Sequence, residues 1–452
     1  MKTYEKLAIA ALLFALMMTV LDVTLVNMAL PVIVVQFDVS ASESVWIVTI
    51  YQLVITVLLL PFSSIGDRYS YKKTFVAGVI VFTASSLLCS MADSFTAVVL
   101  SRALQGLGAA CVMSVNIALT RLIYPREIIG RGLALNAMVI AVTTAIGPTL
   151  SGAILSFASW HWLFIINLPI GVIVLVLAMR YLPDNNNKRG KSGKFDYVGA
   201  MQNILALGLI FIALNSFSRS GMTSVAGIVF VAGIVVGYFY IKRELQIQEP
   251  LFPVDLLKIR LYSLSVITSI CSFIAQNLVL ISLPFLFLKC FKFSEISTGL
   301  LLTPWPVSTM IVSPFAARFA ERYNPGMIAA LGMAVFTAGV ASLIFYHPDV
   351  ASQYNVALML AVCGVGYGLY QTPNNVVMVM ATPTVRAGAA GGLQSTARLV
   401  GQTLGSIIVG GVFAMSGDVL TGSVACLYYS VAIGVVAGVM SLCRTRDIYM
   451  AS

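Results

Sequence analysis

The sequence predicts an all-α integral membrane protein with fourteen transmembrane helices, and three observations support that prediction. Of its 452 residues, 59% are hydrophobic and only 10% are charged, whereas a soluble protein keeps about a quarter of its residues charged. Almost every apolar run exceeds the roughly 18 residues that indicate a membrane-spanning helix. The runs are also continuous, which disfavours a β-barrel, because barrel strands give short segments of alternating hydrophobicity.

The fourteen helices are assigned to the apolar runs in chain order. They are expected over residues 7–36, 44–65, 74–92, 95–120, 132–157, 162–182, 198–215, 225–241, 264–288, 298–319, 327–346, 356–382, 388–415 and 424–442. The first run is too long for a cleaved signal peptide, and no small-residue cleavage site follows it, so we expect it to remain as a helix.

The basic residues predict the orientation of the chain. The net charge is +10, and most of the 27 Lys and Arg residues gather in alternate loops, for example Lys72, Arg121, Lys188 and Arg189. The loops between them hold few, such as Lys289. This bias follows the positive-inside rule and predicts a multi-pass protein of the cell's cytoplasmic (inner) membrane with both termini cytoplasmic. The charge therefore orients the chain, and we expect no nucleic-acid partner.

Three short segments of the first half recur in the second half. The pairs are PFSSIGDRY (61–69) with PFAARFAERY (314–323), GLGAACVMSVN (106–116) with GVGYGLYQTPN (364–374), and GPTLSG (147–152) with GQTLGS (401–406). All three pairs fall at corresponding positions of two six-helix blocks. Repeated halves around a central cavity are typical of transporters, in which the substrate site lies near the middle of the membrane at their interface.

Two long polar breaks, at 183–197 and 242–260, separate helices seven and eight from these blocks. We therefore predict a 6+2+6 organisation with pseudo-symmetric N- and C-terminal bundles. The N-terminal six-helix bundle covers residues 1–183, a linker region with helices seven and eight covers 184–260, and the C-terminal six-helix bundle covers 261–452.

Asp22 is the one acidic residue that this map places deep within a span. It lies roughly 22 Å along the first helix from Leu7, where an ionised carboxylate costs on the order of 3 kcal/mol. One interpretation is a permanent ion pair that fixes packing. The interpretation we prefer is a site that alternates between a proton and a cationic substrate, because such a site explains why the chain retains an expensive charge.

Arg102 is the natural cation partner of Asp22. Residue counting places Arg102 roughly 10 Å below the outer end of helix four and Asp22 roughly 20 Å below the outer end of helix one. A direct pair then requires tilt, unequal helix lengths or a bridging water. The alternative for Arg102 is snorkelling to the outer surface. Gly106 and Gly108, one turn further on, are expected to allow close packing of helices.

Polar and aromatic residues of several spans are candidates for the wall of a substrate cavity. They are Trp46, Tyr51, Gln52, Asn116, Gln276, Trp305, Tyr370, Gln371 and Asn374. Aromatic faces suit lipophilic cations through cation–π contact, although ordinary helix packing explains each residue singly. Arg398 is a second deep cation without a deep acid to pair with. It is expected to neutralise a substrate anion, contact backbone carbonyls or snorkel, and the sequence leaves these alternatives open.

Five motifs occur in an order that resembles a known family. They are LDVTLVNMALP (21–31), SSIGDRYSYKK (63–73), RALQG (102–106), TTAIGPTLSG (143–152) and WHWLFIINLPIG (160–171). Together they resemble the fourteen-span drug:proton antiporters of the major facilitator superfamily, the QacA/EmrB type. The loop motif departs from the family pattern at Ser63, Ser70 and Tyr71, where the family has two glycines and an arginine.

The resemblance implies roles for three groups of residues. Asp22 and Arg102 would couple transport to protons. Asp67, Arg68 and Lys72 would form a conformational latch on the inner side, where a carboxylate meets the backbone N–H groups of a neighbouring helix start. Gly147, Pro148 and Gly152 match the antiporter motif, in which a bent and closely packed helix five seals the cavity against proton leak.

Together these features predict a proton-coupled efflux antiporter that exports lipophilic, cationic drugs or toxic compounds. The alternative is a proton-coupled exporter of a metabolite, an amphiphile or an anion. We expect no enzymatic activity, because no nucleophile–base pair appears, and no cofactor or metal, because the seven cysteines show no ligand spacing. The expected partners are the small-molecule substrate, protons and membrane lipid, and the protein is expected to act as a monomer.

Overall fold

The computed structural model describes residues 3–125, 128–183, 195–217, 223–247, 250–346, 352–382 and 387–445. These residues form helices and connecting turns, with no strand among them. Fourteen segments are long and apolar enough to cross a membrane. The predicted fold class and number of spans are therefore confirmed.

We number the spans α1 to α14 in chain order. They are α1 Thr3–Phe37, α2 Ala41–Arg68, α3 Tyr71–Ser90, α4 Phe95–Ile123, α5 Ile129–Phe157, α6 Trp162–Tyr181, α7 Tyr197–Ser216, α8 Thr223–Glu244, α9 Arg260–Cys290, α10 Glu295–Arg322, α11 Pro325–Ile344, α12 Gln353–Met380, α13 Ala387–Met415 and α14 Val419–Cys443. Short irregularities divide α2 after Ser44, α6 after Ile165 and α10 after Leu302, and α9 ends in a π-helical turn.

Polar capping residues explain why several helices begin before their apolar runs. The sequence predicted that the last span begins at residue 424, but α14 begins at Val419 because the Asp418 side chain accepts a hydrogen bond from the Thr421 N–H at 2.9 Å. Ser40 and Glu43 form a capping box at the start of α2. Caps satisfy the free N–H groups of the first turn, so each fixes where its helix starts.

The even number of spans places both ends of the chain on one side, which we call the termini side; the opposite side is the far side. Helices α7 and α8 pack on each other, and α7 also contacts α2 and α13. The Asn203 amide of α7 donates to the Val57 carbonyl of α2 at 2.8 Å. The domain boundaries at 183 and 260 stay a prediction, and Lys188 and Arg189 of the first polar break lie outside the described residues.

Helices α1–α6 and α9–α14 meet along a seam that runs from the middle of the membrane to the far side. On α2 and α13 the hydrogen-bonded pairs are Thr56–Thr403 at 3.0 Å, Gln52–Ser406 at 2.6 Å and Ser42–Gly410 at 2.7 Å. On α5 and α10 the hydroxyls of Thr149 and Thr303 lie 2.6 Å apart. No hydrogen bond joins the termini-side halves of the two groups in the part of the chain that the structure describes. The two groups are therefore closed against each other at the far side.

Close packing of α5 against α10 is the tightest part of this seam. A Cβ at Gly152 would overlap the Glu295 backbone carbonyl, and one at Gly299 would overlap that of Pro148. We predict that Gly152→Ala weakens far-side closure. Overpacking costs about 1–3 kcal/mol, which shifts a two-state equilibrium roughly 5–150-fold.

Spin labels at Met91→Cys and Phe345→Cys, both exposed beyond the far-side ends of α3 and α11, would measure this closure in a Cys443→Ser background. In the measured distance distribution, Gly152→Ala should add a population with a longer distance between the two labels. Gly130→Ala is the matched control on α5, because nothing lies within 4 Å of a Cβ at that position. An unchanged distance distribution in Gly152→Ala would contradict the role of this contact.

Candidate functional site

Asp22 lies in a completely buried polar network in the first bundle. Asp22 and Arg102 are each 0% exposed, and Arg102 Nη1 forms an ion pair with Asp22 Oδ2. The other carboxylate oxygen accepts hydrogen bonds from Gln105 Nε2 at 2.9 Å and from Asn167 Nδ2 at 3.1 Å. Both oxygens therefore have donors, which stabilises the ionised carboxylate.

The Arg102 guanidinium has partners on two sides. Its Nε donates to the Ile47 carbonyl at 3.2 Å and its Nη1 also donates to Gln105 Oε1 at 2.5 Å. The centre of the guanidinium lies 4.1 Å from the centroid of the Tyr51 ring, a favourable cation–π arrangement. Only Nη2 lacks a partner. The pair is thus bonded to backbone, amide and aromatic groups rather than to solvent.

Glycines on α4 bring the helices of this network together. A Cβ at Gly106 would lie 2.8 Å from the Tyr51 carbonyl oxygen of α2, and one at Gly108 would lie 2.5 Å from the Phe82 backbone nitrogen of α3. The backbone of α4 therefore touches both neighbours, as small-residue faces permit. The close packing predicted for Gly106 and Gly108 is confirmed, and it brings Arg102, one turn away, within reach of α1.

Residue counting placed the two charges roughly 10 Å apart along the membrane normal, so that a direct pair required tilt, unequal helix lengths or a bridging water. The helices are unequal, since α1 has 35 residues against 29 for α4, and the Arg102 side chain reaches Asp22 directly. Snorkelling of Arg102 does not occur, since it is 0% exposed. Of the interpretations considered for Arg102, the direct ion pair is the one observed.

Three members of the network were not identified from the sequence. Gln105 and Asn167 stand inside the quoted motifs RALQG and WHWLFIINLPIG, and the Ser86 hydroxyl accepts from Gln105 Nε2 at 2.8 Å. The available signal was the one that identified Asp22, namely a polar residue in an otherwise apolar span. An amide or hydroxyl gives a weaker signal, because its burial costs less than that of a charge.

The predicted latch residues lie together at the termini-side end of α2 and the start of α3. Asp67 accepts a hydrogen bond from the Tyr71 hydroxyl at 2.6 Å, within its own bundle. Arg68 interacts electrostatically with Asp196, which caps α7. Burial raises the pKa of Asp196, but hydrogen bonds from Arg243 and the Gly199 N–H outweigh burial and lower that pKa overall.

Neither the Asp67–Tyr71 hydrogen bond nor the Arg68–Asp196 interaction reaches α9–α14. The latch between bundles therefore stays a prediction for the opposite conformation, in which the termini sides meet. In this structure, the described contacts of the loop lie within the first bundle and with α7.

The antiporter motif faces two neighbours on the far-side half of α5. A Cβ at Gly147 would overlap the Thr24 side chain of α1, and the Ser151 hydroxyl donates to the Leu25 carbonyl at 2.9 Å. Gly152 and the Pro148 carbonyl face α10 instead. The helix continues through Pro148 from Ile129 to Phe157. The motif thus packs α5 against both α1 and α10, and its role in sealing the cavity against proton leak stays a prediction.

Most of the predicted cavity-wall residues are packed inside the bundles in this conformation. Tyr51, Asn116, Trp305, Tyr370 and Asn374 are buried, and Gln52 is buried in the seam. Trp46 lies near the far-side end of α2. Gln276, Gln371 and Trp46 are half-buried.

Helix packing explains several of these residues. Asn116, for example, donates to the Leu12 carbonyl at 3.4 Å and accepts from Asn136 at 3.2 Å. This is the ordinary helix packing that the sequence analysis named as the alternative for each residue, and a role of these residues in the wall of a substrate cavity stays a prediction. A residue type does not reveal which face of its helix meets the cavity.

A second buried arginine was not anticipated from the sequence. Arg444, at the end of α14, is 0% exposed. Its Nη1 donates to the Asn374 side-chain oxygen and, at 3.0 Å, to the Ser265 hydroxyl. The interaction explains why Asn374 faces inward rather than a cavity, and it joins α9, α12 and α14 on the termini side.

Fourteen candidate spans and a buried charge pair are the features of a polytopic membrane protein. A model of the Major Facilitator Superfamily matches residues 12–406. The uncharacterized transporter YebQ of Escherichia coli K12 is 43% identical over 411 residues, which cover 91% of this chain and 90% of YebQ. The multidrug resistance protein Stp of Mycobacterium tuberculosis CDC 1551 is 30% identical, over 92% of this chain and 77% of Stp.

A solved structure agrees with this assignment at the level of the fold. It is a bacterial homologue of the human lysosomal transporter Spinster in an inward-facing, unoccupied conformation, with a TM-score of 0.68, 14% identity, and 99% of this chain and 98% of that chain covered. The chain belongs to the Major Facilitator Superfamily, whose members are transporters rather than enzymes. The predicted resemblance to its drug exporters is confirmed.

We predict that Asp22→Ala destabilises the protein by about 3–5 kcal/mol, because it leaves the buried Arg102 charge without its counter-ion. The double variant Asp22→Leu/Arg102→Met should recover most of that loss, since no buried charge remains. The fraction of protein that stays monodisperse after heating in detergent measures both effects. Asp38→Asn is the control: Asp38 is exposed with φ 51°, a conformation that Asn tolerates. Equal stability of Asp22→Ala and the double variant would contradict the account.

Proposed function

We propose that this chain is a proton-coupled efflux antiporter for small lipophilic compounds in the cytoplasmic membrane, with both termini cytoplasmic. The observation that carries the proposal is the Asp22–Arg102 pair. An ion pair without solvent exposure is costly to retain for packing alone, since apolar residues of similar volume often stabilise as well or better. A function that uses the change of charge explains its presence. The basic loops support the orientation, under which the far side is external.

Protonation of Asp22 is the proposed coupling step. Protonation of the Asp22 carboxylate removes the negative charge that pairs with Arg102. The hydrogen bonds from the Gln105 and Asn167 amides then end on a neutral acceptor instead of an ionised one. Because these residues stand on α1, α4 and α6, loss of the pair weakens contacts among three helices at once. In the state described here the pair is shielded and the far side is closed. We propose that opening of the far side hydrates the pair and admits the proton.

The charge of the cargo is a separate question. The cationic cargo predicted from the sequence required an available Asp22, but both oxygens of that carboxylate already have donors. Direct contact with a cation would require Arg102 to move away. The name of the relative Stp, a multidrug resistance protein, supports lipophilic cargo without fixing its charge. The alternative cargo, an anion or amphiphile, is favoured by Arg398, whose guanidinium has no counter-ion among the described residues.

Proton-driven dye uptake into inverted membrane vesicles tests the proposal. Wild-type vesicles should accumulate fluorescent lipophilic dyes when respiration acidifies their interior, and collapse of the pH gradient should release the dyes. We predict that Asp22→Asn lowers gradient-driven uptake at least tenfold, because the amide cannot exchange a proton. Asp38→Asn should transport like the wild type.

The dye panel should contain an anionic, a neutral and a cationic compound, so that the assay does not presuppose the cargo. Undiminished uptake by Asp22→Asn, at equal amounts of protein in the membrane, would contradict proton coupling through this residue. It would leave the family assignment unchanged.

A further inference from the structure

Arg398 is a positively charged residue of the second bundle, and it lies on α13 at the point where the two bundles begin to separate. It is half-buried on α13, and no hydrogen bond or ion pair joins it to another described residue. Its neighbour Leu399 belongs to the same buried cluster as Met18 and Tyr51 of the first bundle. The hydrogen-bonded seam starts one turn further along α13, at Thr403. Arg398 therefore lies on the termini-side edge of the closed seam.

Snorkelling does not account for this residue. Arg398 stands eleven residues after Ala387, the start of α13, which is roughly 16 Å along the helix and beyond the reach of an arginine side chain. Contact with backbone carbonyls, the second alternative, is not observed among the described residues. Of the three interpretations that the sequence left open, neutralisation of an anion remains.

Tyr367 of α12 interacts electrostatically with Arg398 and stands in a buried cluster of polar aromatic residues. Its ring centroid lies 6.0 Å from that of Tyr370 and 6.4 Å from that of Trp305. The Tyr367 hydroxyl forms no hydrogen bond of standard geometry, and it interacts with the Ser272 hydroxyl and with Arg398. Tyr370 interacts with Arg444 instead, so Tyr367 is the member of this cluster that faces Arg398.

No carboxylate among the described residues is available as a counter-ion for Arg398. The acidic residues described in the second bundle are Glu295 and Glu321, near the two ends of α10, and Asp418, which caps α14. Asp22, the deep acid of the first bundle, is already paired with Arg102. The described middle of the second bundle is therefore positive, and an anion from outside the chain would complement it.

We propose that Arg398, with Tyr367, binds the anionic head group of an amphiphilic substrate, a carboxylate or sulfonate. This inference rests on the proposed export function and specifies its cargo. The planar guanidinium pairs with both oxygens of a carboxylate, and Tyr367 lies beside it to donate a third hydrogen bond. The neighbouring aromatic rings, including Phe273 and Phe336, provide an apolar surface for the rest of the molecule.

Equilibrium dialysis with three pyrene probes tests the proposal. Pyrenebutyrate, pyrenebutanamide and pyrenebutyltrimethylammonium share a ring system and differ in head-group charge. Purified protein in lipid nanodiscs should bind the anion at least tenfold more tightly than the neutral and cationic probes, after subtraction of binding to protein-free nanodiscs. An ionic hydrogen-bonded contact of this kind changes affinity about 10-fold to 100-fold.

Arg398→Gln should abolish the preference for the anion. Arg398→Lys should retain part of it, because the charge remains without the planar fork. Tyr367→Phe should weaken binding of the anion alone. The matched controls are Arg322→Gln and Tyr354→Phe, which alter exposed residues, and both should bind like the wild type.

Absence of anion preference in the wild type, or its persistence in Arg398→Gln, would overturn the proposal. Size-exclusion profiles of each variant exclude misfolding as the cause. The assay uses no proton gradient, so it reports on the Arg398 site whether or not Asp22 couples transport to protons. The binding assay therefore distinguishes an error in the proposed Arg398 site from an error in the proposed proton coupling.

Discussion

The Asp22–Arg102 ion pair is the interaction on which the first bundle depends. A charge with no solvent exposure is tolerated only when an opposite charge and hydrogen bonds replace the water that it has lost. Here Asp22 receives Arg102 and Gln105 from α4 and Asn167 from α6. Gln105 in turn reaches Ser86 of α3, and Arg102 reaches the Ile47 carbonyl of α2. Residues of five helices therefore stabilise this ion pair, and protonation of the Asp22 carboxylate changes the electrostatic environment of all five.

The buried charged side chains of the two bundles differ, and this difference is consistent with an exchanger. The first bundle holds the Asp22–Arg102 ion pair, which protonation of Asp22 would break. The second holds Arg398 and Arg444, neither of which pairs with a carboxylate among the described residues. Tyr51 lies between Arg102 and Arg398, because its ring contacts Arg102 and its side chain shares a buried cluster with Leu399, the neighbour of Arg398. The proton site and the proposed anion site are thus joined through a few packed side chains. Both adjoin the seam that must open when the far side is exposed.

The sequence predicted the elements of the fold well and their relative placement poorly. Continuous apolar runs specify fourteen spans, and Asp22 and Arg102 stand out because charges are rare in such runs. Residue counting could not decide whether the two charges meet directly, because tilt, helix length and side-chain reach are set by packing between helices. The partners of the cavity candidates were unpredictable for the same reason: Asn374 bonds to Arg444, and Asn116 to Asn136, pairings that arise only after folding. Gly106 and Gly108 were interpreted correctly, since close packing is a local property of residue size.

The most direct test of the central claim is an infrared difference spectrum of the reconstituted protein, recorded while the external solution is acidified. If Asp22 takes up the coupling proton, a carbonyl band of a buried protonated carboxylic acid will appear as the pH falls, and it will be missing in Asp22→Asn. A spectrum without that band, or with the same band in Asp22→Asn, would show that Asp22 stays ionised beside Arg102. The pair would then be a fixed structural element rather than the site of exchange.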